Sequence, residues 1–214
     1  MRDIKVMKAL KPHFNKNLIY TRLGYRRGFT KLDRSEESRI DSIIDTTVKA
    51  LDIMAAYRIV DILNVNSPLI TLENGIQLKG ERLSKLLNGC HQALIMFATG
   101  GQKVMDLIKN LQIENRLSDA VVVDAAASEI TDSALDVVMS HVAHNIRYLG
   151  HVLTKMRFSP GYGDFDITQQ AILYGLLEAE KFGVLLNEAY MLTPEKSVFA
   201  IAGIGKMSTG GIDD

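Results

Sequence analysis

The sequence predicts an α+β domain, and three observations carry that expectation. Short apolar or β-branched runs cluster between Tyr57 and Thr99. Proline-free stretches with helical spacing of apolar residues occupy most of the chain after them. The two kinds do not alternate as a βαβ repeat would. The four prolines leave long intervals for helices, and none stands in a Pro- or Ser-rich linker. Residues 1–205 therefore read as one domain, followed by a mobile Gly-rich tail at 206–214.

In chain order, Asp33-x-x-Glu36 is a capping-box-like start, and Ile40, Ile43, Ile44, Val48, Leu51 and Met54 follow at helical spacing. That predicts an amphipathic helix from Asp33 to Ala56. The runs Tyr57–Val65, Ile76–Leu78 and Ala93–Thr99 are short, apolar or β-branched and bounded by Asn, Gly or Pro, which predicts strands. Gly100-Gly101 turns the chain into a helix marked by Val104, Met105, Ile108 and Leu111. From Ser118 to Leu153 there is no proline and one glycine, Gly150, so one long helix or two abutting ones run there. Asp166-x-x-Gln169 opens a last helix carrying Ile172, Leu173, Leu176 and Leu177, with Lys181 and Gly183 as its closing signals. Ser197–Ile204 reads as a final strand.

Composition excludes several classes of function. Lys plus Arg and Asp plus Glu are both 25, so no net field draws the chain to nucleic acid or to an acidic membrane surface. No window approaches the ~18 apolar residues of a membrane span. The single cysteine, Cys90, cannot form an intrachain disulfide, and the first residues lead into no signal-like apolar stretch, which together predict a cytoplasmic protein. Gly-x-Ser-x-Gly and Walker patterns are absent. Gly203-x-Gly205 follows an apolar strand but leaves too little chain for a dinucleotide-binding unit.

Other small constellations have plain readings. Gly100-Gly101 suits either an anion at the start of a helix or turn chemistry. His141, His144 and His151 would share one side of a continuous helix. A rise of ~1.5 Å per residue puts the outer two about 15 Å apart, too far for one metal. Cys90 beside His91 reads as structural, because neighbouring residues do not ordinarily face each other.

The informative segment is Arg157-Phe158-Ser159-Pro160-Gly161-Tyr162-Gly163-Asp164. Arginine can grip a carboxylate bidentately, proline fixes the chain path, glycine lets a ligand approach the backbone, and tyrosine offers a flat ring with a polar tip. A zwitterionic ligand with an aromatic base suits such a loop. The plainer reading is a connection between helices whose arginine caps the preceding one.

Arg157, Gly161 and Tyr162 match the Arg-x-x-x-Gly-Tyr pattern of the reactivation domain of cobalamin-dependent methionine synthase. The resemblance continues through Gln169-Gln170, Gly183-x-Leu185, Glu188, Leu192-x-Pro194-Glu195-Lys196-Ser197-Val198 and Ile201–Gly205. Upstream, Leu23-Gly24-Tyr25-Arg26 and Asp124-Ala125-Ala126-Ala127 resemble weaker family features. The resemblance implies a bent antiparallel sheet flanked by several helices, with S-adenosylmethionine bound at the loop. Arg157 would take the methionyl carboxylate, while Ser159, Pro160, Gly161, Tyr162 and Gly163 receive the rest of the ligand. Cobalamin would enter only through a partner, a cobalamin-dependent methionine synthase core or another corrinoid protein. A flavodoxin-like electron donor would reduce cob(II)alamin for methylation to methylcobalamin. The sulfonium is already an activated methyl donor, so the loop needs no base and contributes by positioning.

The chain departs from the family after Gly-Tyr, where Gly163-Asp164-Phe165-Asp166 replaces a proline- and cysteine-containing stretch. It also has no Asp-x-His-x-x-Gly pattern for holding cobalamin. The leading expectation is a reactivation subunit acting in trans, an accessory component without turnover of its own. The alternative is a docking or assembly factor for a corrinoid protein that does not bind S-adenosylmethionine. An autonomous methyltransferase ranks last.

Overall fold

A computed structural model describes residues 3–26, 29–30 and 32–207. In chain order the elements are β1 (Lys5–Met7), α1 (Lys16–Arg22), α2 (Arg34–Ala50), β2 (Met54–Asn66), β3 (Leu69–Leu72), β4 (Gln77–Lys79), α3 (Glu81–Leu87), β5 (Gln92–Thr99), α4 (Gln102–Ile113) and α5 (Leu117–Arg147). There follow β6 (His151–Leu153), α6 (Gln170–Leu177), β7 (Leu185–Leu186), β8 (Leu192–Thr193) and β9 (Ser197–Lys206). The class is α+β, as the sequence predicts: helices flank a curled antiparallel sheet in the order β4-β3-β2-β5-β9-β6.

β2 organises the sheet. Its first half pairs with β1 on one edge, Lys5 opposite Tyr57, and its second half pairs with β3, with a register shift between Ile62 and Asn64. Along its other edge it pairs with β5 from Met54 opposite Thr99 to Asp61 opposite Gln92. β5 then pairs residue for residue with β9. Every residue of β5 is buried, so its sequence runs apolar without alternation from Ala93 to Ala98, between the polar ends Gln92 and Thr99.

Each face of the sheet carries its own core. On one face Leu94, Met96, Ala98, Ala200 and Ala202 meet Ala125, Ala126, Ile130 and Ala134 of α5. The small side chains on both sides let the helix lie close to the strands. On the other face Ile95, Phe97, Phe199 and Ile201 meet Leu83 and Leu87 of α3 and Leu173 and Leu177 of α6. A smaller cluster of Val104, Ile108, Ala120 and Val123 joins α4 to α5.

Three sequence expectations are corrected. The Asp33 cap forms, accepting the Glu36 N–H at 2.8 Å, but α2 stops at Ala50 because Met54–Ala56 are taken into the sheet. The 118–153 stretch is one helix only to Arg147. Gly150, at φ +73°, turns the chain into β6, and His151 pairs in register with Lys206. His151 therefore leaves the helix face of His141 and His144, and its ring stands 4.5 Å from that of His91. The last helix closes early, at Leu177, because Glu178 adopts a left-handed conformation before a short 3-10 turn that Gly183 ends. The expected tail at 206–214 falls outside the described residues from 208 onward, and Lys206 is the last residue of β9.

Candidate functional site

Past β6 the chain keeps to the edge of β9. Thr154 N–H donates to Gly203 O at 2.8 Å, Gly203 N–H donates to Thr154 Oγ1 at 3.0 Å, and Phe158 and Ile201 exchange backbone bonds at 2.9 and 2.8 Å. Pro160 is buried, and the chain then folds back sharply. Gly161 N–H donates to Phe165 O at 2.7 Å, and Phe165 N–H donates to Tyr162 O at 3.1 Å. Phe165, fully buried among the residues of α3 and α6, anchors this turn. Tyr162 is left at its tip, 69% exposed.

The residues that depart from the family pattern hold the loop in place. The Asp164 carboxylate accepts the N–H of Glu81 and, at 3.2 Å, that of Arg82, capping α3 from outside. Asp166 accepts from the N–H of Thr168 at 2.8 Å, starting the turn that leads into α6. Desolvation acts to raise the Asp164 carboxyl, but the N–H groups of Arg82 and Glu81 outweigh it and hold the group below its ordinary 3.8.

Between this loop and α5 lies a cleft of about 590 Å³. Arg157, Ser159 and Tyr162 form part of one wall, facing Ser128, Thr131 and Asp132 of α5. Lys196 and Ser197, at the start of β9, also line it, as do Arg22 and Met191. Of the six residues expected to receive the ligand, Arg157, Ser159 and Tyr162 thus reach the cleft. Pro160, Gly161 and Gly163 shape the turn behind it. A Cβ on Gly161 would stand 3.2 Å from Ile167 Cδ1, and one on Gly163 would stand 3.2 Å from an Arg82 guanidinium nitrogen. Both glycines have positive φ, +89° and +58°, which the turn requires.

α5 meets each described cation of the cleft with a carboxylate. Arg157 donates through one terminal nitrogen to Asp132 Oδ2 at 2.9 Å and Asp132 O at 3.3 Å, and through the other to Asp136 and Met139 Sδ. Arg22 binds the buried Glu129 at 2.9 Å, and Lys196 binds Asp124 at 2.6 Å. The sequence places Arg157 at the site but not its partners. The spacing Asp124, Ser128, Asp132, Asp136, one turn apart along one helix face, was the available signal.

A crystal structure of the MetH reactivation domain bound to AdoHcy is similar to this chain, with a TM-score of 0.73 over 98% of this chain and 80% of that one. The fold is that of the reactivation domain. Sequence identity is 14%, so the likeness is one of architecture. No family model and no curated protein matches the sequence. In this reactivation-domain fold the cleft sits where the Arg-x-x-x-Gly-Tyr segment, the middle of α5 and the start of β9 converge. Leu23–Arg26 follows directly on Arg22 at the end of α1, and Asp124 holds Lys196, so both weaker upstream features flank the same place.

The remaining constellations have structural roles. The N–H of Gly100 donates to Lys196 O at 2.7 Å and that of Gly101 to Thr99 Oγ1 at 3.3 Å, so both amides of the glycine pair are spent on the turn. Burial pushes the Cys90 thiol up, away from thiolate chemistry. Its sulfur packs where a Cβ on Gly203 would fall.

Proposed function

We propose that this protein binds S-adenosylmethionine in the cleft between α5 and the 156–162 loop and presents its methyl group to a cobalamin-carrying partner. The observation that carries the reading is the cleft itself, walled by Arg157, Ser159 and Tyr162 in a fold whose solved relative binds AdoHcy, the demethylated form of the same ligand. Charge supports the methylated form. The cations Arg22, Arg157 and Lys196 are outnumbered by Asp124, Glu129, Asp132, Asp136 and Glu195 in and beside the cleft. A sulfonium zwitterion is net positive and AdoHcy is net neutral, so the acid excess favours the former. The rim supports a docked partner, because Met156, Tyr162 and Met191 are all more than half exposed around the opening.

In this reading the partner is a cobalamin-dependent methionine synthase core or another corrinoid protein, with a flavodoxin-like electron donor, and this protein acts in trans. Its own residues orient the ligand and exclude water; the partner supplies the methyl acceptor. The pairing of Arg157 with Asp132 and Asp136 favours a second reading, in which the loop is locked as a docking surface and takes no ligand. The test mixes the protein with a synthase fragment that lacks its own reactivation module, S-adenosylmethionine and a reductant. The visible spectrum should move from cob(II)alamin to methylcobalamin. An equal rate without this protein would reject the reading.

A further inference from the structure

The ion pair between Arg157 and Asp132 leaves hydrogen-bonding capacity on both partners. Asp136 and Met139 Sδ meet one terminal nitrogen of Arg157, and the Oδ2 and main-chain oxygens of Asp132 meet the other. Among the described residues, none accepts from the Nε–H of the same guanidinium. Asp132 is likewise half used. Its Oδ2 takes the 2.9 Å bond, and no described residue donates to Oδ1. The pair thus keeps one charged donor and one charged acceptor for a ligand.

Both residues line the cleft, Arg157 from the start of the loop and Asp132 from the middle of α5. The Asp132 side chain is 40% exposed, so its second oxygen is open to what enters. Asp136, one turn further along the helix, does not line the cleft and holds Arg157 from outside it. Among the described residues the lining carboxylates are Asp132 and Glu195, and of these Asp132 alone touches Arg157. That contact matters for an amino-acid ligand. Its carboxylate and ammonium sit on one carbon, so a group that receives the ammonium must stand beside the group that receives the carboxylate. An ion pair meets this need when the zwitterion lies against it head to tail, each charge next to its opposite.

We propose that Asp132 receives the α-ammonium of the ligand through its second carboxylate oxygen while Arg157 takes the carboxylate, the two residues acting as one clamp for a zwitterion. Asp136 is then a positioning residue that acts through Arg157. This rests on the reading that the cleft binds S-adenosylmethionine.

The test is equilibrium dialysis with three probes: S-adenosylmethionine, its decarboxylated form, which keeps the amine, and its deaminated form, which keeps the carboxylate. Asp132→Asn should raise Kd for S-adenosylmethionine and for the decarboxylated probe at least ~10-fold each, and leave that for the deaminated probe within about twofold. Asp136→Asn removes the same charge from outside the cleft. Any loss it causes should be confined to the two probes that carry a carboxylate. Melting curves of both variants confirm that the protein compared is folded. Wild type binding none of the probes would reject the functional reading itself, and this assignment with it. Wild type binding S-adenosylmethionine while Asp132→Asn binds it equally well, or loses the deaminated probe along with it, would overturn the assignment alone.

Discussion

Asp132 accepts twice from Arg157, through its carboxylate at 2.9 Å and its main-chain oxygen at 3.3 Å. One residue of α5 therefore fixes both the position and the orientation of the guanidinium that begins the Arg-x-x-x-Gly-Tyr loop. The pair ties the start of the loop to the helix on the opposite wall of the cleft.

Arg157→Ala should loosen the contact between the loop and α5 while β9 and the Asp164 clamp keep the rest of the loop in place. The side chain is 19% exposed and its partners are more open, so the stability lost should be modest, about 1 kcal/mol. Affinity for S-adenosylmethionine should fall, and further than with Arg157→Lys, which keeps the charge but not the fork. Equilibrium dialysis checks this, and an unchanged affinity in Arg157→Ala would take Arg157 out of the binding site.

Gly161→Ala should lower the unfolding midpoint whatever it does to binding. A side chain at φ +89° is strained, and the added Cβ would press on Ile167 Cδ1 at 3.2 Å. The expected cost is ~1 kcal/mol or more, read by thermal denaturation. An unchanged midpoint would assign Gly161 to ligand approach rather than to the turn.

Asp164→Asn probes the clamp between the loop and α3. The folded carboxyl titrates below its ordinary 3.8, so its contribution is fully present above that value and is lost as pH falls through the folded-state value. Wild type should be more stable than the variant near pH 7, with the difference closing as pH drops below about 4. Melting curves across that range check it; a gap that stays constant would show that the carboxylate charge plays no part.

Gly203→Ala should be among the more damaging single changes. Its Cβ would fall 2.5 Å from Cys90 Sγ, 3.1 Å from Thr154 Cγ2 and 3.2 Å from Leu87 Cδ2, at the centre of the contact between β9 and α3. Overpacking of this kind costs roughly 1–3 kcal/mol. Denaturant unfolding measures it, and pairing with Cys90→Ala should recover part of the loss.

The parts of the fold legible in the sequence are those with long or dense apolar signals: the middle of β2, β5, β9, and the Ala-rich body of α5. β1, α1, β3 and α3 are not legible, each having seven residues or fewer for a periodicity to develop, whereas β4, equally short, is marked by Ile76 and Leu78 on either side of Gln77. β6 was read as helix because Val152 and Leu153 extend the apolar stretch, and the glycine that ends α5 lies only one residue before the strand. At the site, Arg157, Ser159 and Tyr162 were legible because the loop joins unusual residue types in a short span. Lys196 lies in the Leu192–Val198 segment, but its place at the cleft depends on an ion pair with Asp124, more than seventy residues away in the chain.

Titration calorimetry of the protein with S-adenosylmethionine, followed by AdoHcy under the same conditions, tests the central claim most directly. One saturable site is predicted, with S-adenosylmethionine the tighter ligand because the carboxylates around Arg157 and Lys196 outnumber the cations. No saturable heat with either ligand would contradict the account and leave the cleft as part of a docking surface.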